Sequence, residues 1–246
     1  MITTIQGVTL IGTAHVSKQS AKLVEKTVKE LSPDIVAIEL DSMRLQSLLD
    51  KHNGKTPKRT QNMKLIRQVG MFGFLFLKIS GFLQQKLGKS LQIDPGVDML
   101  AGVLISKELQ IPLALVDRPI LQTISQFKKI PFFQKISMAK RMVFSKMDFE
   151  KRKDLATKLQ KGKLDAQVIT EVIGQIKEEV PELYNILIHQ RNVYMANKII
   201  QLRKKGLKDI VLVIGAGHLP GIQEILEKEL QKIEIPNEVK MSFKLE

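Results

Sequence analysis

Two short motifs, Gly12-Thr13-Ala14-His15 and Gly215-Ala216-Gly217-His218, stand near opposite ends of the 246-residue chain and share the spacing Gly-x-x-His. Each follows an apolar, β-branched run (Val8 to Ile11; Ile210 to Ile214) and precedes a helix-like pattern. Imidazole binds divalent metals and moves protons near neutral pH. Two histidines and one carboxylate are a common ligand set for a catalytic metal, with a position left open for water. Glu39, closing the apolar run Ile35 to Ile38, is the candidate carboxylate. His15, Glu39 and His218 are thus the candidate catalytic residues and the candidate ligands of a divalent Mn, Co or Zn ion. Without a metal, the same groups would serve as general base and acid. Arg44, Arg118 and Arg191 are the candidates to bind substrate, holding a carboxylate or stabilising an oxyanion.

A single histidine at a strand end is more often a hydrogen-bonded structural residue. The pair, with Glu39 beside it, is what favours a shared site. Asp117 is expected to pair with an arginine, Arg118 or Arg191, rather than to act chemically. His52 lies in a Lys/Asn/Gly-rich loop and His189 on a predicted helix surface, so neither is a site candidate. The Gly215-Ala216-Gly217 run is not a dinucleotide fingerprint, because no βαβ unit comes after it to supply the ribose-binding acid.

The elements that must position these residues can be read from periodicity. A buried strand is expected over 7–15, then a helix over 18–31 with Ser17 as N-cap and Ala21, Val24, Val28 and Leu31 at helical spacing. A second strand at 35–38 completes a βαβ unit, so both strands should run parallel and end on the same edge. A helix over 96–109 leads to a strand at 111–116, and a strand at 210–214 to a helix at 220–231. Residues 238–245 alternate as an edge strand would. Pro181 should start a long helix carrying Arg191 one turn beyond Leu187. Each main strand ends in a polar cluster, and ligands of α/β sheets bind at that edge. The expected fold class is α/β: a central, largely parallel sheet with flanking helices. It forms a single domain, 1–246, with an apolar and basic helical insertion at 60–92 and a helical subdomain at 119–208.

With no cysteine, disulfides and thiolate chemistry are excluded. The net charge of +14 is concentrated in two segments: 51–93 and 120–163 contribute +9 each, and the remainder is −4. Such segments favour anionic partners or form solvated helical faces. Nucleic acid is the weakest partner, since aromatic residues do not interleave with the basic runs in a single-strand-binding pattern. Residues 69–83 are strongly apolar, with Phe72, Phe74 and Phe76 among them, and have basic flanks. The run is shorter than the roughly 20 residues of a spanning helix, so it is expected to lie on an anionic membrane surface or form a homodimer contact. Met1 leads almost directly into a strand with no signal-peptide pattern. The expected location is cytoplasmic or peripheral to the membrane.

Taken in order, the motifs resemble the TraB/PrgY (pheromone shutdown) family along essentially the whole chain. They are Gly12-Thr13-Ala14-His15-Val16-Ser17, Glu39-Leu40-Asp41 with Arg44, Pro95-Gly96-Val97-Asp98-Met99, Asp117-Arg118-Pro119-Ile120 with Thr123, Pro181-Glu182-Leu183, Arg191-Asn192, and Gly215-Ala216-Gly217-His218-Leu219-Pro220-Gly221. That family is related to the Tiki metalloproteases and, more distantly, to the erythromycin esterase and ChaN-like groups. The resemblance implies an α/β core with paired Gly-x-x-His motifs, a metal-dependent, peptidase-like hydrolase acting on peptide or pheromone signals, and roles for His15, Glu39, His218 and Arg191. Its non-catalytic counterpart is a membrane-associated protein that sequesters a signal peptide and inhibits pheromone signalling. The chain departs from the family pattern at Gln190, where a glutamate usually precedes the arginine, at Asn192, at Asp98 in place of glutamate, and at Gln126 in place of arginine. Family members often continue into membrane spans, and this sequence is expected to be a soluble member or a shortened form.

Overall fold

The computed structural model describes residues 1–13, 18–55, 96–143 and 166–233. His15, Ser17, the insertion at 60–92 with its apolar run, and the tail at 238–245 lie outside the described residues. Within them the chain forms a five-stranded sheet in the order β1 (Ile2–Ile5), β2 (Val8–Thr13), β5 (Ile210–Gly215), β3 (Ile35–Ile38), β4 (Leu113–Leu115). All pairs are parallel except β1 with β2. The fold is the mixed α/β class expected, with flanking helices on a mostly parallel sheet.

The sequence pattern gives one strand at 7–15, which matches β2 and misses β1, whereas the structure has a hairpin of the two. Ile5 pairs with Val8, leaving Gln6 and Gly7 as a two-residue turn at φ 44° and 80°. Both central residues at positive φ are what a type I′ hairpin turn needs. The short segment Ile2-Thr3-Thr4-Ile5 carries little apolar signal because it is an edge strand with alternate residues exposed.

Alternation along the strands divides the core. Leu10, Ile35, Ala37, Ile210, Leu212 and Ile214 face α8 (Gln190–Lys204) and α9 (Leu219–Leu230), which supply Met195, Ala196, Ile199, Ile222 and Leu226. Ile11, Val36, Ile38, Val211 and Val213 face α1 (Lys18–Leu31) and α3 (Val97–Glu108) through Val24, Val28, Met99 and Val103. This is the period-two signature of a sheet buried on both faces. Between α1 and α3 in sequence, α2 (Ser42–His52) comes after β3 and is N-capped by Asp41, whose side chain accepts from the Met43 and Arg44 amides. Helices α4 (Ile120–Lys129), α5 (Phe132–Val143), α6 (Ala166–Glu179) and α7 (Pro181–Tyr184) share a smaller cluster around Met138, Val180 and Leu183.

The long helix expected from Pro181 is interrupted: α7 runs into a π-helical turn, Asn185–His189, and only then into α8. Among the described residues no helix is long and apolar enough to cross a membrane.

Candidate functional site

Strand order creates the site. Strand β5, the last described in the chain, inserts between β2 and β3, so Thr13 pairs with Gly215 and Ile38 with Val213. The carboxyl ends of β2 and β5, which carry the two Gly-x-x-His motifs, are therefore neighbours, and Glu39 leaves β3 on the other side of β5. Gly12 is inside β2, and a Cβ there would lie 2.7 Å from Leu219 Cδ1, so its role is close packing of α9 on the strand.

Glu39 and His218 meet. His218 Nε2 is 3.3 Å from Glu39 Oε1, and both residues are about 5% exposed or less. The other carboxylate oxygen, Oε2, accepts the Gly215 amide at 2.7 Å, so the strand that presents His218 also fixes Glu39. On the far side of the ring, His218 Nδ1 lies 2.6 Å from Asn192 Oδ1, which is buried. An amide oxygen only accepts, so Nδ1 carries a proton, and Nε2 faces the Glu39 carboxylate. Gly221 makes room for this contact: a Cβ there would run into the Asn192 amide nitrogen.

A charge network surrounds the pair. Arg191 Nη2 bonds Glu39 Oε1 and also reaches Asp117 Oδ2 at 2.7 Å, while its Nε donates to Asp117 Oδ1 at 3.0 Å. Its third arm, Nη1, donates to the Leu187 carbonyl of the π turn at 3.2 Å. Arg44 pairs with Asp41 through Nε (3.2 Å) and with Asp117 through Nη2. Burial, and then the neighbouring Arg191 charge, lower the Arg44 pKa, while Glu39 and Asp41 act in the opposite direction. Asp41 Oδ2 further accepts the Ile120 amide at 3.1 Å, tying α4 to the start of α2. Asp117 pairs with an arginine as the sequence predicts, but with Arg191 and Arg44, not with the guanidinium of its neighbour. Arg118 instead donates to Gln190 Oε1 at 2.7 Å.

The structure thus brings Glu39, His218 and Arg191 into direct contact, places Arg44 in the same network through Asp117, and leaves Arg118 beside it on a separate partner. His15 lies outside the described residues, two positions beyond Thr13. His52 and His189 are exposed, as expected. Asn192 enters the sequence reading only within the family motif and as a departure from its pattern; its contact with His218 is visible only in the structure. Among the described residues no group of three or more His, Cys, Asp or Glu side chains forms a metal cage.

A buried carboxylate–histidine pair braced by arginines at the carboxyl edge of a parallel sheet defines an α/β protein with a polar centre at its strand ends. The TraB/PrgY/gumN family profile matches residues 2–233, and the chain belongs to this family. An uncharacterized protein of Methanocaldococcus jannaschii, MJ1365, is 32% identical over 221 residues, 89% of this chain and 53% of its own length. The human TraB domain-containing protein is 29% identical over 259 residues, 92% of this chain and 64% of its own, and the mouse protein of that name is 28% identical over 258 residues. The chain spans between half and two thirds of the length of these relatives.

Proposed function

We propose that this TraB-family protein is a metal-dependent, peptidase-like hydrolase whose centre is His15, Glu39 and His218. The observation that carries the reading is the pairing of His218 Nε2 with Glu39 Oε1 at 3.3 Å, with the Nδ1 proton committed to Asn192. Two basic atoms facing each other at that distance require a shared proton or cation. The spacing fits a common cation: two ligands on bonds of about 2.0–2.1 Å in tetrahedral array lie roughly 3.3–3.4 Å apart. Glu39 Oε1 has two lone-pair sites, one for Arg191 and one for the ion. Nitrogen and oxygen donors suit Mn, Co or Zn. When bound, such an ion supplies Lewis acidity and brings the pKa of water towards neutrality.

The chain's own groups do the rest. Asn192 holds the His218 tautomer, Gly215 N–H and Arg191 keep Glu39 aimed and ionised, and Asp117 holds the Arg191 guanidinium in plane. Without an ion, Nε2 of His218 and Oε1 of Glu39 would instead serve as the groups that take a proton from an attacking water and return it to the leaving amine.

The test is calorimetric titration with Mn²⁺, Co²⁺ and Zn²⁺, and metal content after purification, on wild type and on the His15→Ala/His218→Ala variant. Stoichiometric binding lost in the variant is expected, together with loss of peptide cleavage at unchanged thermal stability. Absence of binding in wild type would overturn the metal reading. A collapse of thermal stability in the variant would assign the histidines a structural role.

A further inference from the structure

Three arginines stand at the sheet edge, and their charges are not equally spent. Arg191 is held by Glu39 and Asp117, and Arg44 by Asp41 and Asp117. Arg118 is different. Its guanidinium meets the uncharged Gln190 Oε1 at 2.7 Å, and among the described residues no carboxylate is in ion-pair contact with it. Asp117 is not available to it, since both its oxygens take Arg191 and Oδ1 also accepts the Arg118 backbone amide at 2.7 Å. Arg118 is half-buried, so it remains accessible while partly removed from water. A guanidinium has five N–H donors in a fork that matches a carboxylate, and here one arm is engaged by Gln190.

Its place is informative. Arg118 is the chain neighbour of Asp117, and Gln190 the chain neighbour of Arg191, so the pair abuts the network that holds Glu39. One helical turn further on, the Thr123 hydroxyl is buried with no hydrogen-bond partner among the described residues. Buried hydroxyls are normally satisfied, so Arg118 and, at the start of α4, Thr123 are two polar groups whose capacity the described residues do not fill.

We propose that Arg118, oriented by the uncharged Gln190 and not paired with a carboxylate among the described residues, is the subsite for a carboxylate of the peptide substrate. The proposal deepens the hydrolase reading and rests on the site handling peptides. A glutamate at 190 would neutralise Arg118, so the glutamine is the residue that opens this charge to a ligand. The carboxylate belongs to the peptide's C-terminus or to an acidic side chain, and the recognition chemistry is the same.

The experiment uses the intact protein and three acetylated probes: tetra-alanine with a free C-terminal carboxylate, its C-terminal amide, and Ala-Ala-Asp-Ala amide. Calorimetry should show at least one carboxylate-bearing peptide binding about tenfold or more tighter than the uncharged amide. Which one does so identifies the source. Arg118→Gln and Gln190→Glu should each erase the preference, while Gln190→Met should keep it. Gln190→Glu leaves Arg118 in place, so the test survives poor folding of Arg118→Gln. Equal or undetectable binding of all three peptides by wild type, or a preference that persists in Arg118→Gln, would overturn the subsite. Cleavage of the same peptides is monitored separately. Preference without cleavage supports the subsite and sinks the hydrolase reading, whereas cleavage without preference does the reverse.

Discussion

At the scale of single residues, the state of His218 is set by a neighbour that does no chemistry itself. Asn192 Oδ1 fixes the proton on Nδ1, and Gly221 is small enough to let the amide sit there. Groups that orient a metal-binding imidazole usually account for roughly 10–100-fold in metal affinity. Gly221→Ala should therefore act on the site from a distance. The added methyl group would displace the Asn192 amide, cost about 1–3 kcal/mol of stability as an overpacked contact, and weaken the proposed metal binding by about that 10–100-fold. Denaturant unfolding and calorimetry on the same preparation check both effects, and a variant unchanged in either would show that the Asn192 contact does not govern His218.

At the scale of elements, the π turn at Asn185–His189 governs how α8 is rotated against the sheet. The turn inserts one extra residue before α8, resetting the face on which Arg191, Asn192 and Met195 project, and π turns recur at functional sites for this reason. Arg191 returns a hydrogen bond to the Leu187 carbonyl of the turn, so the side chain and the irregularity support each other. The segment just before it is held by Arg141 of α5, whose Nη2 bonds both Glu182 oxygens at 2.8 and 3.0 Å. The hydrogen bond from Arg141 holds the Glu182 carboxyl below its ordinary value of 4.5. A depressed carboxylate contributes stability that is complete above the ordinary value and is lost as pH falls through the lowered one. The pair is partly exposed, so its worth is at most about 1 kcal/mol. Wild type should exceed Glu182→Gln in thermal stability by that small margin at neutral pH, with the two curves converging in acid; a gap that widens on acidification would contradict this assignment.

At the scale of the whole molecule, stability is unevenly distributed. Two extensive clusters sandwich the sheet, while α4 to α7 rest on a cluster with three buried apolar residues among those described, Met138, Val180 and Leu183. Regions with little buried apolar surface open at lower free energy. Native-state hydrogen exchange should therefore find the amides of β2, β3 and β5 protected to the global limit, and those of α4 to α6 exchanging through smaller openings. Uniform protection would show that the helical region and the sheet unfold as one unit. Arg118 and Thr123 lie at the junction between the rigid sheet edge and the less stable helices. A substrate bound at Arg118 should accordingly slow exchange in α4 more than in the sheet.

Much of this was legible in the sequence because local chemistry determines it. Helix α1 and strand β3 fall on the residues their periodicity predicts, and β5 and α9 within one residue, since burial on a defined face leaves a period that needs no partner to be read. Glu39 and His218 were recognisable because each closes an apolar run with a polar residue. Other features depend on what packs against what. The strand β1 is invisible because an edge strand needs apolar residues on only one side. The π turn leaves no mark in a pattern of period 3.6. Asp117 sits beside Arg118 in sequence, yet its carboxylate binds Arg191, 74 residues away. Neighbours in a chain project differently, whereas strand order and helix rotation choose spatial partners. Residue types at strand ends were thus set by the sequence alone. The insertion of β5 between β2 and β3, which sets the carboxyl ends of β2, β5 and β3 side by side, was decided only by the tertiary fold, because no local interaction specifies which strands become neighbours.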